Sequence, residues 1–598
     1  MPDPPTSVPL GEFLTNGKYG RTPFADSRPP ITCGISGLTY THQQQQDRIN
    51  LLARALSHEL GWAVNTEPGN NKILGIFSFN TIDYMTVAHA AHRLNGIVSL
   101  HNAAQTAADL QHQLLVTGAK VLVTCIPLLE TAVRVAKAVG IPRDKVYIMD
   151  LPKDFTPDVD VKTELPLKTI NGLIDEGRKL PALERLNWSP CQGRTQPAFL
   201  LFSSGTSGLP KCVQISHYNL IASVLQISTF DRPARLSSSS CSSSGGYRKG
   251  KGKGNDNLRV NIVLGLMPMS HIYGLVMLAS YSHFQGDQVI IIPKFTSLPN
   301  LLSAVQRFRI NTLFLVPPLI LSFLANHDSL VRDKGTDLGS VRSVFTGAAP
   351  LAEVKMRELR VLYPAWSLHQ GYGTSETSLV SRTAEHDVWF GTSGSLLPGV
   401  EARLVGPEGR EITALNTMGE LLVRGPGVMM GYLADDANET CGANGEALIT
   451  TYNDDGKEER WYRTGDEAMF VLSKGGWEHL VITERIKELI KVNGRQVAPA
   501  ELEAFIWTHP LVADVAVIGV PHCLTGETAK AFVVRKDDEL TAEDVVRFVE
   551  EGMARYKRLG GGVEFVDAVP RSPSGKILRR VLRERERKGG REKVGAKL

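Results

Sequence analysis

The sequence predicts an α/β fold for a large N-terminal lobe, with a β-rich subdomain and then a small α+β domain at the C-terminal end. Three observations carry that prediction. Short apolar runs alternate with helical stretches from residue 37 towards Gly399, which is the pattern of stacked strand–helix units. Beyond Gly399 the runs shorten and are divided by glycine turns. Beyond Arg485 a stretch of about 110 residues has its own helix and strand set, enough for a separate core. The expected organisation is a lobe over 1–483, a small domain over 484–585 and a basic tail over 586–598.

Taken in order, Gly37 to Gly61 begins extended and becomes an amphipathic helix, with Leu51, Leu52, Leu56 and Leu60 at helical spacing. NKILGIFSFNT is a strand running into a polar loop. TIDYMTVAHAAHRLNGIVSL reads as helix then strand, and KVLVTCIP and DKVYIMD as short strands. PAFLLFSS, NIVLGLMPMS, DQVIIIP, NTLFLVPP and VRSVFTGAAP follow as strands, with LPNLLSAVQRFRI and LAEVKMRELRVLYP as helices among them. VEARLVGPEG, GELLVRGPG and YRTGDEAMFV make the β-rich part. PAELEAFIWTHP and TAEDVVRFVEEGM are the helices of the last unit; VADVAVIGVP, AKAFVVRK and GGVEFVDAVP are its strands. The stretch Ala234 to Asn257 is serine-rich and then Gly/Lys-rich. It has too little apolar surface to offset its ordering entropy and reads as a surface insertion.

Composition removes several classes. The formal net charge is only +4. Arg571 to Leu598 alone holds eleven Lys/Arg against three Glu, so the remainder is slightly acidic and no general nucleic-acid surface is indicated. Seven cysteines are scattered without a CxxC, which speaks against a metal cluster or a disulfide framework. MPDPPTSVPL lacks the basic start and apolar run of a signal peptide. The longest apolar stretch, Leu313 to Ala325, is too short to span a bilayer, and it contains Pro317 and Pro318. The chain ends Ala596-Lys597-Leu598, a small–basic–leucine pattern like that read by a peroxisomal import receptor; otherwise a cytoplasmic location is expected.

One loop suggests chemistry. After the strand Phe199 to Phe202 come Ser203, Ser204, Gly205, Thr206, Ser207 and Gly208, then Pro210 and Lys211. Glycines let backbone N–H groups close round an anion, hydroxyls add donors, and the lysine can offset charge. This is not the G-x-x-x-x-G-K-[ST] spacing of a Walker A loop. By residue type alone a solvated turn and a phosphate loop both remain open.

SSGTSGLPK resembles the phosphate loop of the adenylate-forming superfamily, which includes acyl-CoA synthetases, 4-coumarate–CoA ligases, luciferases and nonribosomal adenylation domains. Further motifs occur in that family's order: PMSHIYG, GAAP, QGYGTSET, GELLVRGPGVMMGY, WYRTGD, ERIKELIKVNGRQVAPAELE and PRSPSGKILRR. They span most of the chain beyond residue 195, and the pattern is most similar to the 4-coumarate–CoA ligase-like group.

The resemblance implies a site. Glu376, otherwise an ordinary loop glutamate, looks like the Mg²⁺ residue, with Thr206 beside the metal and Ser375 keeping the hydroxyl before the glutamate. Tyr372 looks like the aromatic that stacks on adenine, within Gln370, Gly371, Tyr372 and Gly373; Gly347 and Ala348 border the same pocket. Asp466, otherwise a turn residue, is assigned to the ribose with Arg485. His271 looks like a mobile ring near the reacting carboxylate. Lys576, one basic residue among many by composition, looks like the lysine that bridges attacking carboxylate and α-phosphate. Lys491, Asn493, Gly494 and Gln496 resemble residues used in one or both orientations of the small domain.

ATP, Mg²⁺ and coenzyme A are the implied reactants and cofactor. The implied reaction forms an acyl-AMP and then an acyl-CoA, with loss of pyrophosphate and AMP. A luciferase-like oxygenation, carrier-protein loading and a non-catalytic nucleotide sensor are the rivals. Two positions depart from the family: Cys212 follows Lys211 where glycine is usual, and the hinge residue is Glu484 where aspartate is common.

Overall fold

The computed structural model describes residues 1–66, 72–155, 167–203, 210–237, 258–433, 444–453, 455–492, 495–522, 525–572 and 575–595. Among them four sheets are present. In one, Ile73–Phe77 is flanked in parallel by Ile97–His101, the central strand, and by Val121–Thr124, with Val146–Ile148 at one edge. Pro197–Ser203 extends it in parallel, Lys211–Ser216 folds back as a hairpin, and Gly431–Tyr432 closes the other edge. The central strands are buried along their length, so they read as continuous apolar runs rather than alternating ones.

The second sheet carries Gln288–Ile291, Ile262–Gly265, Thr312–Leu315, Ser343–Thr346 and Ser367–Thr374 in parallel register. Ser378–Arg382 turns back against Ser367–Thr374 with a register shift at Tyr372 and Gly373. One large apolar core joins both sheets, from Leu10 and Phe13 through Phe199 to Leu368. The apolar run Leu313–Ala325 divides at Val316: a strand comes before it and the helix Pro317–Ala325 after it. Pro317 and Pro318 sit in the first helical turn, where no N–H is needed. The helix predicted after Gly37 is His42–Leu60, opened by a capping box of Thr41 and Gln44.

The β-rich part is a sheet built on the strand Glu458–Leu472, which pairs antiparallel with Gly419–Arg424, Leu448–Tyr452 and Glu478–Arg485. The last unit has its own sheet of Val512–His522, Gly526–Arg535, Ile490–Val492, Arg495–Val497 and Val563–Phe565. Its core is Leu502, Ile506, Val515, Val517, Ala531, Val533, Val545 and Val549.

Two expected boundaries move. The helix His217–Ser237 runs through the start of the expected insertion, because Arg235 is buried there. Its guanidinium donates to both oxygens of Asp287, at 3.0 and 2.8 Å. The remaining 238–257 lie outside the described residues. At the C-terminal end the helix Arg579–Gly595 crosses position 586 without a break. Leu582 is buried on the small domain and Lys530 pairs with Glu586, so contacts of this helix with that domain reach position 586.

Candidate active site

A cavity of about 550 Å³ lies between the large lobe and the small domain. Ala348, Gln370, Gly371, Tyr372 and Gly373 line it from the lobe, Asp466 and Arg485 from the β-rich part, and Lys576 from the small domain. These residues are scattered over more than two hundred positions, and three separate folding units bring them together.

The strand Ser367–Thr374 delivers Tyr372, whose hydroxyl donates to Asp466 Oδ2 at 2.5 Å. Asp466 stands opposite Arg485 in the sheet register, and Arg485 Nε lies 3.1 Å from Asp466 Oδ1. The Asp466 amide donates to Thr464 Oγ1, itself tied to the Leu421 carbonyl at 2.8 Å. Burial pushes the Asp466 carboxyl up, against the opposing pull of Arg485, the Tyr372 hydroxyl and Lys576. Burial also works against the Arg485 charge, but Asp466 and its acidic neighbours push that pKa up.

Gly373 has no alternative here. A Cβ on it would come within 2.0 Å of the Ser378 carbonyl oxygen across the hairpin. Ala348 adopts φ of 69°, a left-handed conformation that costs an L-residue about 1–2 kcal/mol. Ala348→Gly should therefore raise the thermal midpoint; an unchanged or lower midpoint would mean that the surrounding loop does not hold this strain. Gln370 is committed to structure as well as to the cavity wall, since its amide oxygen accepts from Leu351 N at 3.3 Å and its nitrogen donates to the Thr392 carbonyl at 3.3 Å.

Lys576 is held by a tight turn. Ser572 N donates to the Lys576 carbonyl, Lys576 N to Ser572 Oγ, and Arg571 to the Gly575 carbonyl and to Asp514. Gly575 has φ of 84°, and a Cβ there would lie 3.0 Å from Pro318 of the large lobe. The turn thus needs glycine both for its backbone and for its approach to the lobe. Gly575→Ala is expected to cost about 1–2 kcal/mol, lowering any Lys576-dependent step about 5–30-fold; rates equal to the parent's would remove this argument. Burial, then Arg485, pulls the Lys576 pKa below the ordinary lysine value.

Ser203 and Lys211 are register partners at the ends of two antiparallel strands. Ser204, Gly205, Thr206, Ser207 and Gly208 lie outside the described residues, as do Asn493 and Gly494. Cys212 faces Phe202 across those strands and is buried. It occupies a regular strand position that does not require glycine's freedom.

Glu376 is buried, and its carboxylate accepts from the Tyr432 hydroxyl at 3.1 Å. Lys211 Nζ lies 4.8 Å above the Tyr432 ring. Tyr432 therefore links the lysine beside the loop to the candidate metal ligand, a role that sequence reading missed although its motif was in view. Ser375 sits half-buried in the turn before Glu376. Among the described residues no group of three or more metal-binding side chains occurs. One carboxylate oxygen near a phosphate-bearing substrate still suits Mg²⁺, which takes few protein ligands and completes its shell with phosphate and water.

His271 is outside the cavity lining. Its Nδ1 accepts from Tyr273 N at 3.2 Å, and burial pulls its pKa down to about 4, so the ring is neutral near pH 7. The Tyr273 hydroxyl lies within hydrogen-bond distance of the Leu315 and Phe345 carbonyls. Gly347 adjoins Gly371, 3.5 Å from its carbonyl oxygen by the position a Cβ would take. Lys491 and Gln496 face each other on an exposed hairpin away from the cavity.

The junction between the β-rich part and the small domain carries a cluster that local sequence does not reveal. Arg579 is buried and donates to Glu488 at 2.7 Å and to both oxygens of Glu503 at 2.8 Å, with Glu484 at 3.8 Å. Glu484 also accepts from its own neighbour, Arg485 N, and from Ala500 N at the start of the helix Pro499–Ile506. Glu484 thus reaches the small domain's helix and its arginine together.

The profile described as "AMP-binding enzyme" matches residues 24–433, and the one described as "AMP-binding enzyme C-terminal domain" matches 501–576. The chain belongs to the AMP-binding enzyme family. Among similar family members, acyl-CoA ligase cm3C of Cordyceps militaris is 36% identical over 97% of this chain and 88% of its own length. Acyl-CoA ligase easD of Emericella nidulans is 34% identical over 97% of each chain. The fold matches solved structures: ATP-bound MatB from Rhodopseudomonas palustris aligns with TM-score 0.74 at 22% identity over 97% of this chain and 98% of that one. The anthranilate CoA ligase AuaEII, in complex with anthranoyl-AMP, aligns with TM-score 0.75 at 20% identity over 99% of both chains.

Proposed function

We propose that this chain is an ATP-dependent carboxylic acid–CoA ligase, and that the cavity completed by Lys576 is where the acid is adenylated. The observation that carries the reading is the convergence of Lys576, Asp466, Arg485 and Tyr372 on one cleft. The names of the family members aligned over nearly the whole chain support the acceptor as coenzyme A.

The acid's carboxylate is ionised near neutral pH and needs no general base. One of its oxygens attacks the α-phosphorus of ATP, the bond to the bridging oxygen of the β-phosphate breaks, and pyrophosphate leaves. Asp466 accepts from ribose hydroxyls, and Arg485 keeps that carboxylate ionised and aimed. The Lys576 ammonium lies between acid and α-phosphate, where negative charge shifts during attack. Ser203 to Gly208 and Lys211 hold the β- and γ-phosphates. Glu376, aimed by Tyr432, and Thr206 hold Mg²⁺, which when bound neutralises phosphate charge.

In the second step the CoA sulfur attacks the acyl carbon, the thiol proton passes to solvent, and AMP leaves with the oxygen that came from the acid. The small domain turns about Glu484 between the steps, replacing Lys576 by the face that carries Lys491, Asn493, Gly494 and Gln496. Lys491 lies outside the cleft in the described arrangement, as this alternation requires. The closed cleft protects an acyl-adenylate from water.

The acid itself falls within aryl, medium-chain or specialised-metabolite acids. Ala348 and Ala349 line the cavity where it would sit, while His271 and Tyr273, expected beside it, lie outside that lining. Among the described residues no helix is long and apolar enough to cross a membrane. Ala596-Lys597-Leu598 is proposed as a peroxisomal address; a fluorescent fusion that stays diffuse with the three residues intact would refute it.

Pyrophosphate release screened over acids, with CoA omitted or supplied, tests the activity. Failure with every acid would reject the reading. The pH profile offers a separate check. Because the Lys576 pKa lies below the ordinary lysine value, adenylation should fall on the alkaline side at lower pH than a free lysine would dictate. Lys576→Arg should move that limb upward or remove it; an identical limb in the variant would assign it to another group.

A further inference from the structure

A second cavity, of about 220 Å³, shares no lining residue with the cleft. The helices Leu10–Thr15, His42–Leu60 and Tyr84–Arg93 wall it, together with the segment at Arg185 and with His283. Its lining includes His42, His89, His92 and His283, with Arg93 and Arg185. Glu12, the one carboxylate in that lining, is exposed.

Four buried nitrogens here lack a hydrogen-bond partner among the described residues: His89 Nδ1, His92 Nδ1, His283 Nε2 and Arg93 Nη1. His89 and His92 are only 8% and 2% exposed. The other end of the Arg93 guanidinium donates to the Glu184 carbonyl, so one face is anchored and the other carries an unused donor. A guanidinium nitrogen can only donate, and an unmet buried donor is costly. His92 Nε2 lies 2.9 Å from the Ala198 carbonyl, which makes that nitrogen the donor of a neutral ring and leaves His92 Nδ1 an acceptor, so His92 is no anion ligand.

The imidazoles are neutral near pH 7, since burial pulls His89 down to about 3 and His42 and His92 to about 4. The standing charges are then Arg93 and Arg185 in the lining with Arg21 beside His42, against Glu12 in the lining and Glu184 beside Arg93. A cation is disfavoured on that balance, and no metal-holding group occurs among the described residues.

We propose that this cavity is a second binding site, for a small oxyanion of the carboxylate or phosphate class, held by Arg93 and His89 with Arg185 at the mouth. Calorimetric titration of the full chain tests it, with a non-hydrolysable ATP analogue and Mg²⁺ added to occupy the cleft. Inorganic phosphate and acetate are titrated separately, with acetamide as the neutral control.

At least one anion should bind with unit stoichiometry. Arg93→Gln should weaken it at least tenfold, and Arg185→Gln, on the exposed rim where folding is not at risk, severalfold. Crystals soaked in selenate should show anomalous density beside Arg93. The proposal is overturned if neither anion binds, if acetamide binds as well as acetate, or if both variants bind as the parent does. Which anion wins separates a carboxylate ligand from a phosphate one.

Discussion

Replacing Lys576 by alanine will lower acid-dependent ATP–pyrophosphate exchange about 10²–10³-fold, the usual scale for removing one preorganised charge from a transition state. Thioester formation from a supplied acyl-adenylate and CoA will change far less. The two assays separate because Lys576 lines the cleft through the turn at Gly575, whereas the second step is proposed to use the face that carries Lys491 and Gln496. The fold should survive, since the Lys576 side chain only partly leaves solvent and its turn is held by backbone and Arg571 contacts. Equal losses in both half-reactions would mean that the lysine serves architecture rather than adenylation.

Arg579→Ala will have the largest effect on stability. It strands Glu484, Glu488 and Glu503 without their counter-charge in a buried place, a situation that typically costs about 3–5 kcal/mol. Urea unfolding of the full chain should show the small domain separating from the lobe at lower denaturant. The sign of the pH dependence follows from the carboxylates. Burial already raises Glu484 and Glu503, and Arg579 opposes the rise. Without Arg579 the folded state holds protons that the unfolded chain releases, so stability falls as pH rises from the ordinary glutamate range through the raised folded values. The deficit should therefore shrink on acidification. A deficit independent of pH, or below about 1 kcal/mol, would show that water or a backbone shift compensates for the lost arginine.

The strands were legible wherever a short apolar run had turn residues at both ends. Val121–Thr124, Gln288–Ile291, Thr312–Leu315 and Ser343–Thr346 each fall within an expected segment. Local periodicity reports such elements because burial of each is decided by its own residues. It cannot report pairings made across hundreds of positions. Arg579 read as one of eleven basic residues near the chain end, yet its three glutamate partners bury it. Arg235 likewise sat in a stretch whose composition promised no order, until Asp287 gave it a partner.

The candidate residues were singled out by motif rather than by residue type. Asp466, Arg485, Tyr372 and Lys576 are each ordinary alone, and the fold gathers them in one cavity. Tyr432 was passed over because a tyrosine in a glycine-rich strand looks like core; only the third dimension sets its hydroxyl on Glu376 and its ring under Lys211.

The most direct measurement follows one oxygen atom. With an acid that the enzyme accepts, labelled with ¹⁸O in its carboxylate, Mg²⁺-ATP and CoA, the AMP released should carry one ¹⁸O. Attack of that carboxylate on the α-phosphorus puts it there. Unlabelled AMP, or ADP in place of AMP, would contradict the account.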